Sequence, residues 1–292
     1  MSSKYSLKNR VANWVRLGIS YIILAIVAAI AVFPIYYIII TSVNPIPTLA
    51  SITLRSLLPE KPSLEAYYYI LFKEPFLLWL RNSLILAAGT IAITVIVAFI
   101  TGGAALSRFN VPGKTTLMVT IYVMTFFPFA ATALPLYLMF ASLGMLRGWS
   151  TYVGLILAYS GGTSIFSSYL VKVFLDRIPK DYEEAALIDG LTRPGGAFFR
   201  ILLPMAKPII AFVALLAFMG AYTDYALANA FITQGSMWTL TLGMYYLAFV
   251  NRATLYNVLA AFSVLMGIPI FAIFIAFQKY LVQIYAMGGV KA

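Results

Sequence analysis

Six stretches of roughly 20 apolar residues dominate this chain, and about 20 is the length a helix needs to cross the hydrocarbon core of a bilayer. They run about Leu17–Ile40, Ser83–Leu106, Thr116–Phe140, Tyr152–Val173, Met205–Ala228 and Tyr256–Phe277. A soluble domain carries about 25% charged residues. Here 10% are charged and 62% are hydrophobic, with a mean hydropathy of +0.93. Most of the surface is therefore expected to face lipid, and the expected class is an all-α integral membrane protein of six transmembrane helices in a single domain, residues 1–292. The first run exceeds the apolar core of a cleaved signal, because Phe33-Pro34-Ile35-Tyr36-Tyr37 continues it past any small-residue cleavage site. Pro128 and Pro135 interrupt the third run, and the carbonyls they free need neighbouring helices, which places that run inside a bundle.

Orientation follows from the basic residues, which concentrate on cytoplasmic loops. Of the 20 lysines and arginines, only Arg55, Lys61, Lys73, Arg81, Arg147 and Arg252 fall on one side of the six runs. The opposite side is thus cytoplasmic and holds both termini. The formal charge of +11 reflects this topology and not nucleic-acid binding, since the basic residues sit between apolar runs and form no basic face. Outside, the longest loop runs from Thr41 to Asn82 and carries Pro45, Pro47, Pro59, Pro62 and Pro75; a second outer segment covers Asn229–Leu255.

Chemistry is limited by what is missing. The chain has no cysteine and no histidine, which removes thiolate and disulfide chemistry and both the commonest general base and the commonest metal ligand. Gly113-Lys114-Thr115 has the ending of a phosphate-binding loop, but the glycine that motif needs five residues earlier is Arg108. No nucleotide site, catalytic group, metal or cofactor is expected on this chain.

The long cytoplasmic loop, about residues 176–204, holds Asp176, Asp181, Glu183, Glu184 and Asp189, five of the nine acids. Pro179 suits a first helical turn. The acids after it suit the positive end of the helix dipole, and Gly190 suits a left-handed stop. Thr192 is positioned to cap a second helix, with Pro194 just inside it. Such a helix, apolar on one side and acidic on the other, either presses into a groove on a soluble partner or lies on the lipid surface. Surface-seeking helices favour basic faces, which weighs against the second reading.

Glu184-Ala185-Ala186, three residues, Gly190, then Ile201-Leu202-Leu203-Pro204 resembles the signature of binding-protein-dependent ABC-importer permeases. That signature has nine residues after its glycine. Here ten lie between Gly190 and Ile201, with the extra one expected at Arg193–Gly196. Trp79-Leu80-Arg81-Asn82-Ser83-Leu84, Pro135-Leu136-Tyr137-Leu138, Gly154-Leu155-Ile156-Leu157-Ala158-Tyr159, Ile188-Asp189-Gly190 and Phe277-Gln278-Lys279-Tyr280-Leu281-Val282-Gln283 look like the maltose-type carbohydrate permeases, in particular the smaller, six-span subunit. The resemblance implies a MetI-like ABC-importer permease fold in which the signature loop is the coupling helix, with Glu183, Glu184, Ala185, Ala186, Asp189 and Gly190 as the ATPase-docking element. It also implies the partners: a second permease subunit completing a heterodimer, two ATPase subunits that bind ATP and Mg, and an extracellular sugar-binding protein.

An ionisable residue within a span is a functional candidate, and Asp224 is the one here. With Tyr222, Tyr225 and Asn229 it offers rings and hydrogen-bonding groups suited to a sugar. The same residues also suit a plain membrane–water boundary, where tyrosines form a belt. Phe126, Phe127 and Phe129 beside Pro128 suit either an outer gate or bundle packing. The alternatives are a permease for another solute such as a sugar phosphate, and an ion-coupled carrier. A carrier is expected to bury several charges and to show repeats, and this chain has neither.

Overall fold

The computed structural model describes residues 2–44, 58, 61–126, 129–191, 195–251 and 255–288, and the secondary structure there is helical throughout. It divides into two compact units, residues 1–74 with 251–265 and residues 75–250 with 266–292.

In the first unit, α1 (Ser2–Val43) is a single helix of 42 residues with Pro34 inside it. From Ala12 to Ile35 every residue is exposed, including Trp14, Ile22, Ile26 and Ile30. A helix that is apolar all round belongs in lipid or against another membrane protein. Its end is polar and tied down: Ser42 Oγ hydrogen-bonds Tyr67 OH at 2.6 Å. Tyr67 lies on α2 (Glu65–Phe72), so the segment expected as a loop from Thr41 to Asn82 contains a helix. Pro45, Pro47 and Pro59 lie outside the described residues.

The second unit is built on α3 (Phe76–Ala98), α6 (Trp149–Leu175) and α10 (Lys207–Tyr222), which pack on one another. α3 begins seven residues before the expected start at Ser83, because Trp79 and Asn82 are buried in this unit, and it continues as π-helical turns over Phe99–Arg108. The expected third span is two short helices, α4 (Lys114–Met124) and α5 (Ala133–Ser142), with a 3₁₀ turn at Phe129–Thr132 between them. Pro135 falls in the first turn of α5, where its missing N–H costs nothing. Phe127 and Pro128 lie outside the described residues. α6 is 27 residues long, but Ser160, Gly161, Gly162, Thr163, Ser164, Ser167 and Ser168 dilute its apolar character.

The fifth apolar run is bent. Past α7 (Asp181–Ile188) the chain re-enters a helix at α8 (Gly195–Ala197), passes through π-helical turns at Phe198–Leu202 into α9 (Leu203–Met205), and turns by 67° at buried Ala206 into α10. Pro208 causes the break, since its ring meets the carbonyl four residues back and it donates no bond. After α10 come α11 (Ala226–Phe231), a 3₁₀ turn at Gly235–Met237, and α12 (Leu240–Tyr245) running into π-helical turns at Tyr246–Val250. This segment, expected as an outer loop, is therefore mostly helical. Asn82 Nδ2 donates to the carbonyls of Ser236 and Trp238, both at 3.0 Å, Leu240 N–H donates to Ser83 Oγ, and Tyr152 OH donates to the Met237 carbonyl. The last helix, α13 (Tyr256–Gly288), overruns its expected end by more than two turns.

Among the described residues, three helices are long and apolar enough to cross a membrane alone: Ala12–Val43, Phe76–Arg108 and Tyr256–Ile284. The bent pair Phe198–Met205 and Lys207–Tyr222 makes a fourth if it is one span. The all-α membrane class stands, while six crossings exceed what length and apolarity give.

Candidate functional site

The signature loop between α6 and α10 folds as the short helix α7. Lys180 is its cap residue and its carbonyl accepts from Glu183 N (2.9 Å) and Glu184 N (3.0 Å), so Pro179 precedes the helix and does not open its first turn. Asp181, Glu183 and Glu184 occupy that first turn, where the dipole favours them. The far end is a Schellman stop: Gly190 N donates to the Leu187 carbonyl, Leu191 N donates to the Ala186 carbonyl, and Gly190 sits at φ +85°. Thr192, Arg193 and Pro194, expected to cap the next helix and absorb the extra residue, lie outside the described residues.

Helical periodicity splits the signature into two faces. Glu183 and Ala186, three apart, point inward and are 8% and 4% exposed. Asp181, Tyr182, Glu184, Ala185, Ile188, Asp189 and Gly190 point outward. Ile188, at 87% exposure, is an apolar side chain almost wholly in the open. Of the residues expected to dock a partner, Glu184, Ala185, Asp189 and Gly190 are thus presented, and Glu183 and Ala186 are turned away.

Glu183 is turned toward Arg108, at the end of the π-helical extension of α3. Arg108 Nε and Glu183 Oε1 are 2.5 Å apart, with their side chains 10% and 11% exposed. The same guanidinium donates to Ser107 Oγ (3.1 Å) and to the Ile178 carbonyl (3.3 Å). Ser107 Oγ donates to Asp176 Oδ1 (2.7 Å), and Lys172 pairs with the other oxygen of Asp176. Burial works to raise the Asp176 carboxyl, but hydrogen bonds from Lys172 and Ser107 and the charges of Lys172 and Lys114 outweigh it and hold Asp176 below the ordinary aspartate range. Alongside lies an apolar cluster of Phe99, Phe174, Leu175, Ile178, Leu202 and Ala206, with the Phe99 and Phe198 rings 4.9 Å apart.

A second feature of the same unit is an open groove of about 1090 Å³ between α4, α5 and α6. Thr125, Thr132, Tyr159, Gly161, Gly162, Thr163 and Gly220 line it with apolar side chains such as Met124, Leu136 and Phe166, and no charged residue is among the described residues on its wall. Tyr159 connects this wall to Asp224. Its OH donates to Asp224 Oδ2 (2.8 Å), and that oxygen also accepts from Leu227 N (2.9 Å) and Ala228 N (3.1 Å). Asp224 therefore acts as the cap of α11. Tyr222 is fully buried and donates to the Met266 carbonyl (3.0 Å). Tyr225 is half-buried with its ring 4.8 Å from that of Tyr245, and Asn229 is exposed. The four pathway candidates thus do not converge on one surface, and only Asp224 reaches the groove, through Tyr159.

Sequence reading missed both Arg108 and the groove. A signal existed for each. Glu183 is the acid that shares the α7 face of Ala186, and Ser160-Gly161-Gly162-Thr163-Ser164 is a run of small residues of the kind that marks close approach in membranes.

Residues 95–285 match the family described as binding-protein-dependent transport system inner membrane component. The chain is 32% identical over 286 residues to the galactooligosaccharides transport system permease protein GanQ of Bacillus subtilis, covering 97% of this chain and 98% of that protein. It is 33% identical over 293 residues to the maltose/maltodextrin transport system permease protein MalG of Salmonella typhimurium, covering 94% and 96%. The fold is similar to a chain in the crystal structure of a bacterial ABC transporter involved in import of the acidic polysaccharide alginate, with a TM-score of 0.74 over 92% of this chain and 98% of that one at 22% identity.

Proposed function

The chain belongs to the family of binding-protein-dependent transport system inner membrane components, and we propose that it forms half of the translocation pathway of an importer for a neutral oligosaccharide. Members of this family are multi-pass membrane permeases that work in pairs with an ATPase dimer and an extracellular binding protein. They are transport components and not enzymes, so ATP and Mg are handled by the ATPase subunits.

The observation that carries the reading is the outward face of α7. A short helix held firmly at its base presents Tyr182, Ala185 and Ile188 among Asp181, Glu184 and Asp189. An apolar strip rimmed by acids suits a groove on a soluble partner with basic edges, and in this reading that partner is the ATPase. Glu184, Ala185, Asp189 and Gly190 then form the docking contact, and Glu183 and Ala186 seat the helix. The same reading puts α7 and both termini in the cytoplasm.

Six crossings are proposed within one membrane domain, residues 1–292. α1, α3 with its π-helical extension, and α13 cross as long helices. α6 crosses as a less apolar interior helix. α4 with α5, and α8 through α10, cross as broken spans that neighbouring helices satisfy.

Two supports favour a neutral sugar. The relatives named above transport galactooligosaccharides and maltose or maltodextrin. The groove wall carries threonine and tyrosine hydroxyls among apolar groups and no charge among its described residues, which suits sugar hydroxyls and ring faces better than a sugar phosphate. Asp224 serves this pathway by holding Tyr159, with Tyr225 and Asn229 on the segment after α10.

The test is uptake by vesicles holding the complete complex, with a radiolabelled maltodextrin or galacto-oligosaccharide and the binding protein. Uptake is expected to require ATP and to persist when ion gradients are collapsed. Uptake that ignores ATP and follows an ion gradient would assign an ion-coupled carrier instead.

A further inference from the structure

Resting on the importer reading above, we propose that Arg108 is a positioning residue for energy coupling, whose ion pair with Glu183 clamps α7 to the end of α3 so that a pull on α7 reaches the membrane helices.

Three elements meet at this guanidinium. It is itself the last residue of the π-helical extension, it pairs with Glu183 on α7, and it donates to the carbonyl of Ile178 in the link from α6. Arginine suits this role because its planar fork holds the Ser107 hydroxyl and the Ile178 carbonyl at fixed angles while its charge meets Glu183, which the point charge of a lysine does not do. Ser107 extends the clamp to Asp176, and so to the last turn of α6. The five residues 176–180 between α6 and α7 therefore do not act as a slack tether.

The force has a rigid destination. Six residues before Arg108, the backbone of Gly102 lies against that of Ser168 on α6 so closely that a β-carbon there would meet the Ser168 carbonyl oxygen at 2.0 Å. Thr101 Oγ1 and Ser168 Oγ share a hydrogen bond of 2.5 Å at the same crossing. The π-helical turns between crossing and clamp are the kind of local irregularity that recurs at functional sites. Glu183 is also unavailable to a docking partner, since it faces inward, so its charge serves the seat of α7 and not the contact surface.

The experiment uses the assembled complex in vesicles and reads three quantities for each variant: ATPase subunits retained on the membrane, ATP hydrolysed, and sugar taken up per ATP. R108K keeps the charge and loses the fork. It is expected to retain the ATPase subunits, to hydrolyse ATP within about twofold of the parent, and to lose roughly tenfold in uptake per ATP, a size typical of altered coupling. The chain has no cysteine, so R108C/E183C introduces the only thiols on this subunit. That variant is expected to be uncoupled as made, to regain coupling when a reducible bifunctional methanethiosulfonate bridges the pair, and to lose it again on reduction. Unchanged uptake per ATP in R108K or no gain on bridging would each overturn the proposal. A parent complex that shows no ATP-driven uptake would sink the importer reading instead, so the two failures are distinguishable.

Discussion

The carbonyl oxygen of Ser168 lies 2.0 Å from the point that a β-carbon on Gly102 would occupy, and the neighbouring backbone carbon of Ser168 lies 2.7 Å from it. The obstacle is backbone and cannot rotate aside. G102A is therefore expected to force α3 and α6 apart at a cost on the order of 3 kcal/mol, read as a lowered thermal midpoint of the purified subunit in detergent. G161A is the control. Gly161 also lies within α6 but has nothing within 4 Å of its virtual β-carbon, so G161A is expected to hold or slightly raise the midpoint. Equal midpoints for G102A and the parent would show that the crossing relaxes freely.

Asp224 and Tyr159 are expected to act on stability as a pair. D224A removes the cap of α11 along with the tyrosine's partner, and a lost cap costs about 1–2 kcal/mol. Y159F removes only one of the three bonds that Asp224 Oδ2 accepts. In a double-mutant cycle by chemical denaturation the two changes are expected to be non-additive by about 1–2 kcal/mol, as for a hydrogen bond to a charged acceptor. Strict additivity would mean that the pair does not couple. D224N keeps an acceptor oxygen and is expected to fall between D224A and the parent.

What the sequence made legible was chemistry that acts locally or in aggregate. Apolar length declares the membrane class without any tertiary detail. The α7 stop is readable because only a glycine takes φ +85° cheaply, and the residue at that point is Gly190. Where tertiary contact decides, reading residue by residue fails. Asp224 reads as a lone acid in a span, but its partners are backbone groups of α11 and a tyrosine 65 positions away. Tyr222 reads as a polar ring for a sugar, but packing buries it and sends its hydroxyl to Met266. Glu183 and Glu184 are adjacent and chemically identical, and only the 100° between neighbouring helical residues sends one to Arg108 and the other to solvent. The apolar runs are uneven in visibility for a related reason: packed helices such as α6 trade apolar residues for small ones, so the hydropathy that announces α1 fades where helices pack most closely.

The acid response of the clamp follows from Asp176. Its carboxyl is held below the ordinary aspartate value of about 3.9, with Lys172 and Ser107 bonding the charged form. A depressed native value contributes stability that is complete above the unfolded value and is lost as pH falls through the native one. Asp176 is therefore expected to add no pH dependence to the subunit's thermal midpoint across neutral pH and to lower it with acid only below about pH 4. D176N removes a charge partner of Lys172. It is expected to lower the midpoint at neutral pH and to narrow its difference from the parent as acid protonates the parent's carboxyl. A difference that widened with acid would reverse the sign of the argument.

Ile188 and Glu184 carry the docking prediction, and they do so in different ways. Ile188 is 87% exposed, so its side chain contributes almost nothing to the fold of the isolated subunit. Covering such a side chain is worth about 1.5–3 kcal/mol, so I188D is expected to weaken binding of the ATPase subunits by roughly 10- to 100-fold while leaving the subunit's own thermal midpoint unchanged. E184K, on the same outward face, reverses a charge at the rim of that contact. Rim charges act mainly on association rate and salt dependence. Its defect is therefore expected to be smaller than that of I188D, and the salt dependence of binding is expected to shift. Ala186 provides the contrast because it faces inward at 4% exposure. A186L is expected to lower the thermal midpoint by overpacking, and any loss of ATPase binding should follow from a displaced α7. If I188D and the parent bind the ATPase subunits equally in a pull-down from detergent, the outward face of α7 is not the docking surface, and the importer reading loses the observation that carries it.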